Sequence, residues 1–198
     1  PRTGTVAIAY DEGKVRAIAE STTIDKANFV IDGFLPVNRQ TLTYPSNEVR
    51  ERRRAEGMPP DEVNYEIMRT NDGLPIGVHL VVAYEISDAQ KTLESLPKNE
   101  ICKHIESMMV THVGNLIQGS KSDDFQNSAP GSLDEFKEDK ALSKFDVFQP
   151  AELTKFNLQL KKETCLLGQD LAKVGIQLMQ LRMEPPKILD KNIADAIS

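Results

Sequence analysis

VNYEIMRTNDGLPIGVHLVVAYEI, residues 63 to 86, is the stretch whose reading decides the fold class. Its second half places Ile76, Val78, Leu80, Val82, Tyr84 and Ile86 at every other position. Strand side chains alternate between faces, so this spacing predicts a strand with one apolar face. Val63, Tyr65 and Ile67 repeat the pattern more briefly and predict a partner strand. Between them, Asn71-Asp72-Gly73 offers a residue free to take positive φ, and Pro75 stiffens the exit. The whole reads as a β-hairpin. It carries no chemistry of its own.

Working outward toward the N-terminus, Thr5–Tyr10 and Val15–Ala19 flank Asp11-Glu12-Gly13-Lys14 and predict an opening hairpin. Phe29-Val30-Ile31 is expected to be a buried run that ends in a turn at Asp32-Gly33. Residues 37 to 44 alternate loosely and predict a further strand, closed by Pro45-Ser46-Asn47. The segment EVRERRRAEGMPP, residues 48 to 60, is expected to be an exposed loop or a single helical turn. Arg50, Arg52, Arg53 and Arg54 cluster there, interleaved with Glu48, Glu51 and Glu56. Clustered arginine favours anionic surfaces, so these four are the candidate contact for acidic lipid headgroups or an acidic partner. A solvated loop is the plainer reading of the same residues.

Toward the C-terminus, Ser87-Asp88-Ala89-Gln90 can begin a short helix that ends near Leu96-Pro97, and Asn99 can cap the next. Ile101, Ile105, Met108, Met109, Val113, Leu116 and Ile117 form a helical stripe over residues 100 to 118, stopped at Gly119. Residues 120 to 132 have loop composition. A second long helix opens at Pro150, with Leu153, Leu160, Leu167 and Val174 at heptad spacing, and ends at Gly175. Ile176–Glu184 is expected to be a strand whose apolar parity switches after Leu178, and Pro185-Pro186 breaks it. A last helix is expected from Lys187, cut off in mid-pattern at Ser198. The order predicts a single α+β domain over residues 1 to 198, mainly antiparallel, with helices packed on one side.

The totals narrow the function. At 198 residues with 39% apolar content the chain can build a core. A net charge of −6 argues against a nucleic-acid partner, which needs a basic face to displace counterions. No run approaches the roughly 18 apolar residues of a membrane span, and no signal peptide is read. The chain begins at Pro1, not Met, so flanking sequence is expected. The two cysteines, Cys102 and Cys165, are read as buried free thiols in a reducing compartment.

Catalytic patterns are missing. HExxH, CxxC, GxSxG and Walker loops do not occur. His104 and His112 lie on one predicted helix, too far apart for a chelating pair, and His112 falls on its apolar stripe, where a packed histidine is expected. Asp123-Asp124 reads as a solvated acidic loop and not a metal site. No cofactor or metal is expected. An enzyme with a dispersed site, using for example His79 with Asp72 or Glu85, is a further reading.

Three phrases then stand in order: GTVAIAYDEGKV at 4 to 15, RTNDGLPIGVHLVVAYEI at 69 to 86, and VGIQLMQLRMEPPKILDKNIADAI at 174 to 197. Together they resemble the stomatin–prohibitin–flotillin (band 7) domain. Thr70, Asp72, Gly73, Ile76, Tyr84 and Ile86 match its central hairpin, and Gly175, Ile176 and Pro186 match its end. The resemblance implies a non-enzymatic, membrane-associated scaffold that self-associates into rings or cages. Such assemblies organise membrane patches or regulate enclosed proteases or channels, so partner membrane proteins are implied. Membrane attachment would come through a segment N-terminal to this one. Residues 48 to 60 and 120 to 148 look like insertions relative to that domain. The alternative is a soluble shell or adaptor of the same fold.

Overall fold

The computed structural model describes residues 4–11, 13–18, 30–121, 155–184 and 187–188. The chain is α+β, as expected, but its strands form three three-stranded sheets instead of one. Contacts divide it into two compact units. One comprises residues 1–42, 82–107 and 168–180, and the other residues 43–81, 108–167 and 181–198.

In the first unit, strands β1 (Thr5–Asp11), β2 (Lys14–Ile18) and β3 (Val30–Pro36) form an antiparallel sheet in the order β2-β1-β3. The opening hairpin is as the sequence predicts, with Gly13 at φ 79° in its turn. The expectation for β3 is overturned. Asp32-Gly33 is not a turn; it lies inside the strand, where a bulge shifts the register between Ile8 and Ala9. Nor is the preceding run buried, since Val30 and Ile31 are 66% and 54% exposed. Helix α3 (Ala89–Ser95) is capped by Asp88, whose side chain accepts from Lys91 N at 3.0 Å. It is tied to β2 by Gln90, whose Oε1 accepts from Ala17 N at 2.8 Å and whose Nε2 donates to Val15 O at 3.0 Å. A 3-10 turn (Lys98–Glu100) follows, and Asn99 sits within it instead of capping the next helix.

The β8 strand (Ile176–Met183) begins after Gly175. Gly175 takes φ 78°, and its carbonyl accepts from Ser87 N and Asp88 N, both at 3.0 Å. A side chain there would run into the Asp88 carbonyl and the Thr92 hydroxyl, so only glycine fits.

In the second unit, α1 (Asn47–Ala55) and α2 (Pro60–Asn64) precede β5 (Glu66–Arg69) and β6 (Pro75–Val78). The hairpin β5–β6 is antiparallel with Met68 opposite Ile76, and the two-residue strand β9 (Lys187–Ile188) pairs with the far side of β6. Its turn is built as the sequence indicates. Thr70 Oγ1 accepts from Leu74 N at 2.9 Å and donates to Asp72 Oδ1, while Gly73 takes φ 85°. Asn71 N donates to Ser120 O at 2.9 Å, which fixes the tip to the residue after Gly119.

Two predictions fail around this hairpin. Val63 and Tyr65 are not strand residues, because α2 runs through Asn64 and β5 starts only at Glu66. In β5 the buried side chain is Met68, while Ile67 is exposed. The second run is also not one strand. It is interrupted at His79, and β7 (Leu80–Ile86) joins β4 (Gln40–Tyr44) and β8 in a different sheet, order β4-β7-β8. The apolar stripe nonetheless holds through the interruption, with Ile76, Val78, Leu80, Val82, Tyr84 and Ile86 all buried.

The two long helices are α4 (Ile101–Gly119) and α5 (Lys155–Ala172). Ile101, Ile105, Met109, Val113, Leu116 and Ile117 are buried on α4, and Leu167 and Leu171 on α5. The expected opening of α5 at Pro150 and the loop at 122–132 lie outside the described residues, as does most of the supposed insertion at 120–148. Val174 lies past the helix end, in the turn before β8. Lys187 and Ile188 are strand, so the helix expected from Lys187 does not start there; residues 189–198 are outside the description.

Candidate interaction surfaces

The first surface is one face of the β2-β1-β3 sheet. Residues directly opposite in an antiparallel ladder share a face, and residues two apart on a strand share it too. Ala7 pairs with Ile18 and Phe34, and Ala9 pairs with Arg16 and Ile31. These six residues therefore lie on one face. Ala7 and Ala9 are buried, flanked by Phe34, half exposed at 51%, and the similarly exposed Ile31. Arg16 and Lys14 are exposed at the β2 side, where Asp11 pairs with Lys14 in the register. A sheet face with standing apolar side chains beside cations is unusual for surface that meets only water.

The opposite face carries Ile8 and Leu35, both buried. Beside it, α3 and the 3-10 turn enclose a groove of about 460 Å³. Its apolar lining is Ile8, Tyr10, Val15, Leu93, Leu96 and Pro97, and its charged lining includes Asp32 and Lys98. Asp32 is the extra residue of the β3 bulge, since Gly33 pairs with Ile8 and Ile31 with Ala9. The Lys98 ammonium lies 3.3 Å from where a Cβ on Gly33 would stand, close over the strand backbone.

The second-unit surface is α1. Ser46 caps it, accepting from Val49 N at 3.4 Å, and no residue of α1 is buried. Residues 47–55 thus form a full helix, longer than the loop or single turn expected. Its arginines do not act alike. Arg53 is engaged internally: Nη1 donates to Glu62 O at 3.0 Å and Tyr65 O at 2.9 Å, and Nη2 pairs with Glu66 Oε2 at 2.5 Å. Arg50 Nη2 donates to Asn47 Oδ1 at 2.8 Å. Arg52 and Arg54 are exposed.

The histidines sit beside carboxylates. His79 Nδ1 is 3.1 Å from Glu184 Oε2 but off-line for a hydrogen bond. The carboxylate beside it is thus Glu184, not Asp72 or Glu85; Asp72 accepts from Thr70 in the turn. His112 Nδ1 lies 2.9 Å from Glu163 Oε2, joining α4 to α5, as a packed histidine would. Both cysteines are free thiols, Cys165 buried as expected and Cys102 exposed, against expectation. Cys102 Sγ lies 3.7 Å from the Tyr84 hydroxyl. Burial pushes the Tyr84 phenol well above its usual range, and the Cys102 thiol adds to the rise. Among the described residues no three His, Cys, Asp or Glu side chains gather as metal ligands, and no helix is long and apolar enough to cross a membrane.

The chain is similar to vacuolin-B of Dictyostelium discoideum. The identity is 30% over 208 residues, taking in 100% of this chain. Vacuolin-A of the same organism matches at the same 30% over 208 residues. The alignment covers 32% of each vacuolin, so the chain spans about a third of the length of the curated relatives it matches. No family model matches.

The sequence reading missed the sheet face and the groove. Both depend on the β1–β3 register, which turns on a bulge that no local signal announces.

Proposed function

We propose that this chain is a non-enzymatic scaffold domain of stomatin–prohibitin–flotillin type that works against a membrane and self-associates into larger assemblies. The order of its sequence phrases supports the type, as do the β5–β6 hairpin, the Gly175 turn and the β8 strand. The observation that carries the membrane reading is the β2-β1-β3 face, with Ile31 and Phe34 standing out beside Arg16 and Lys14. Apolar side chains enter the headgroup region while cations meet anionic lipid, and the two contributions add. Arg52 and Arg54 on α1 supply a second anionic contact, with Arg50 beside them; Arg53 takes part by holding the helix in place. Assembly into rings or cages, and the regulation of enclosed proteases or channels, belong to the same reading.

The test is flotation with vesicles of phosphatidylcholine and phosphatidylserine. The wild-type chain should float with anionic vesicles. Phe34→Asp with Arg16→Glu should lower the bound fraction at least about fivefold, since each basic residue near the surface is worth about 1 kcal/mol. Arg52→Glu with Arg54→Glu should lower it less. Binding untouched by either pair would remove the membrane reading.

A further inference from the structure

The groove beside α3 is unexplained by a scaffold role. Its charged groups are the informative part. Asp32 and Lys98 line the same cavity with opposite charge, yet their side chains form no ion pair or hydrogen bond among the described residues. Two local devices put them there. The bulge adds Asp32 as the residue without a partner on β1. Gly33, at φ 137°, lets the Lys98 ammonium lie close over the strand, where a Cβ would stand 3.3 Å from it. The floor is apolar, from Ile8, Tyr10 and Val15 on the sheet, and so is the wall, from Leu93, Leu96 and Pro97; Glu94 also lines the cavity, but its carboxylate already accepts from Gln90 Nε2 at 2.6 Å. At about 460 Å³ the space falls in the range of small-molecule sites, roughly 300–1,000 Å³.

We propose that this groove binds a small apolar zwitterion of dipeptide size. The ligand's ammonium group meets Asp32 and its carboxylate meets Lys98. Floor and wall are separate apolar surfaces, and each takes one of its side chains. A ligand with one charge would leave the other rim group facing an apolar body, and an uncharged one would leave both. Complementarity to both signs at once is what selects the class. The inference is independent of the membrane reading, since the groove lies on the opposite face of the sheet from Ile31 and Phe34.

The experiment is a 15N-resolved NMR titration of the chain with leucyl-phenylalanine. N-acetyl-leucyl-phenylalanine amide, which lacks both charges, and dihexanoyl phosphatidylethanolamine, a lipid zwitterion, serve as comparison probes. The dipeptide should shift the amides of Tyr10, Leu93 and Leu96. Lys98→Gln and Asp32→Asn, both exposed and outside the core, should each weaken it about fivefold, the size of one rim ion pair. The capped peptide should bind more weakly than the free one. Equal binding of the capped peptide, unchanged affinity in both variants, preference for the lipid zwitterion, or no shifts at these residues would each overturn the proposal.

Discussion

Gly175 shows how much one residue can decide. Its positive φ and the nearness of the Asp88 carbonyl are both intolerant of a side chain. Gly175→Ala should therefore cost about 2–4 kcal/mol, combining backbone strain with a clash against main chain, which cannot move aside cheaply. Chemical denaturation measures it, and Gly13→Ala is a useful comparison, since a Cβ there meets nothing within 4 Å. Tyr84 yields a pH prediction. Its phenol is held neutral by burial and by Cys102, so its folded pKa lies above the unfolded value of about 10. A neutral acid stabilised in this way contributes fully below that unfolded value, and the contribution is lost as pH rises past it. Unfolding midpoints should thus fall above about pH 10. Tyr84→Phe should flatten that fall while losing the contact to Cys102. A wild-type midpoint that stays level through the alkaline range would contradict this.

At the scale of elements, legibility followed the range of the interactions. The β5–β6 hairpin was readable because its turn is local: Thr70, Asp72 and Gly73 supply the hydrogen bonds and the positive φ within five residues of chain. The stripes of α4 were readable from periodicity alone. The α2 helix was not, because Val63 and Tyr65 mimic alternation, and Pro60 at a helix start is as compatible with a loop. The arginine segment was misjudged for a different reason. What fixes Arg53 is two backbone carbonyls and Glu66, and carbonyls have no sequence signature. Arg53→Ala should destabilise the chain by about 2 kcal/mol by leaving those acceptors unpaired. Arg53→Lys should recover only part of this, because an ammonium lacks the planar fork that reaches several acceptors. Arg54→Ala should stay within about 0.5 kcal/mol. Equal thermal midpoints for Arg53→Ala and Arg54→Ala would refute the distinction.

At the scale of the whole molecule, an overall charge of −6 hid a local basic and apolar face. Net charge averages over the surface, whereas a membrane meets one face at a time. Val30 and Ile31 looked like core because apolar runs usually are; their exposure depends on which strand they pair with, and at which register. The chain spans about a third of the length of the vacuolins it matches, and sizing by light scattering tests self-association on this chain itself. Its measured mass should exceed that of one chain, and a monomer at every concentration would count against self-association. The break at His79 bears on how the chain tolerates change in length. A single alternating stripe serves β6 and β7, which belong to different sheets. Adding or deleting one residue at 79 would turn every side chain of β7 to the opposite face, sending Val81 and Glu85 inward and Leu80, Val82, Tyr84 and Ile86 outward. Two residues would restore the faces. Length variation at this junction should therefore be tolerated only in even steps.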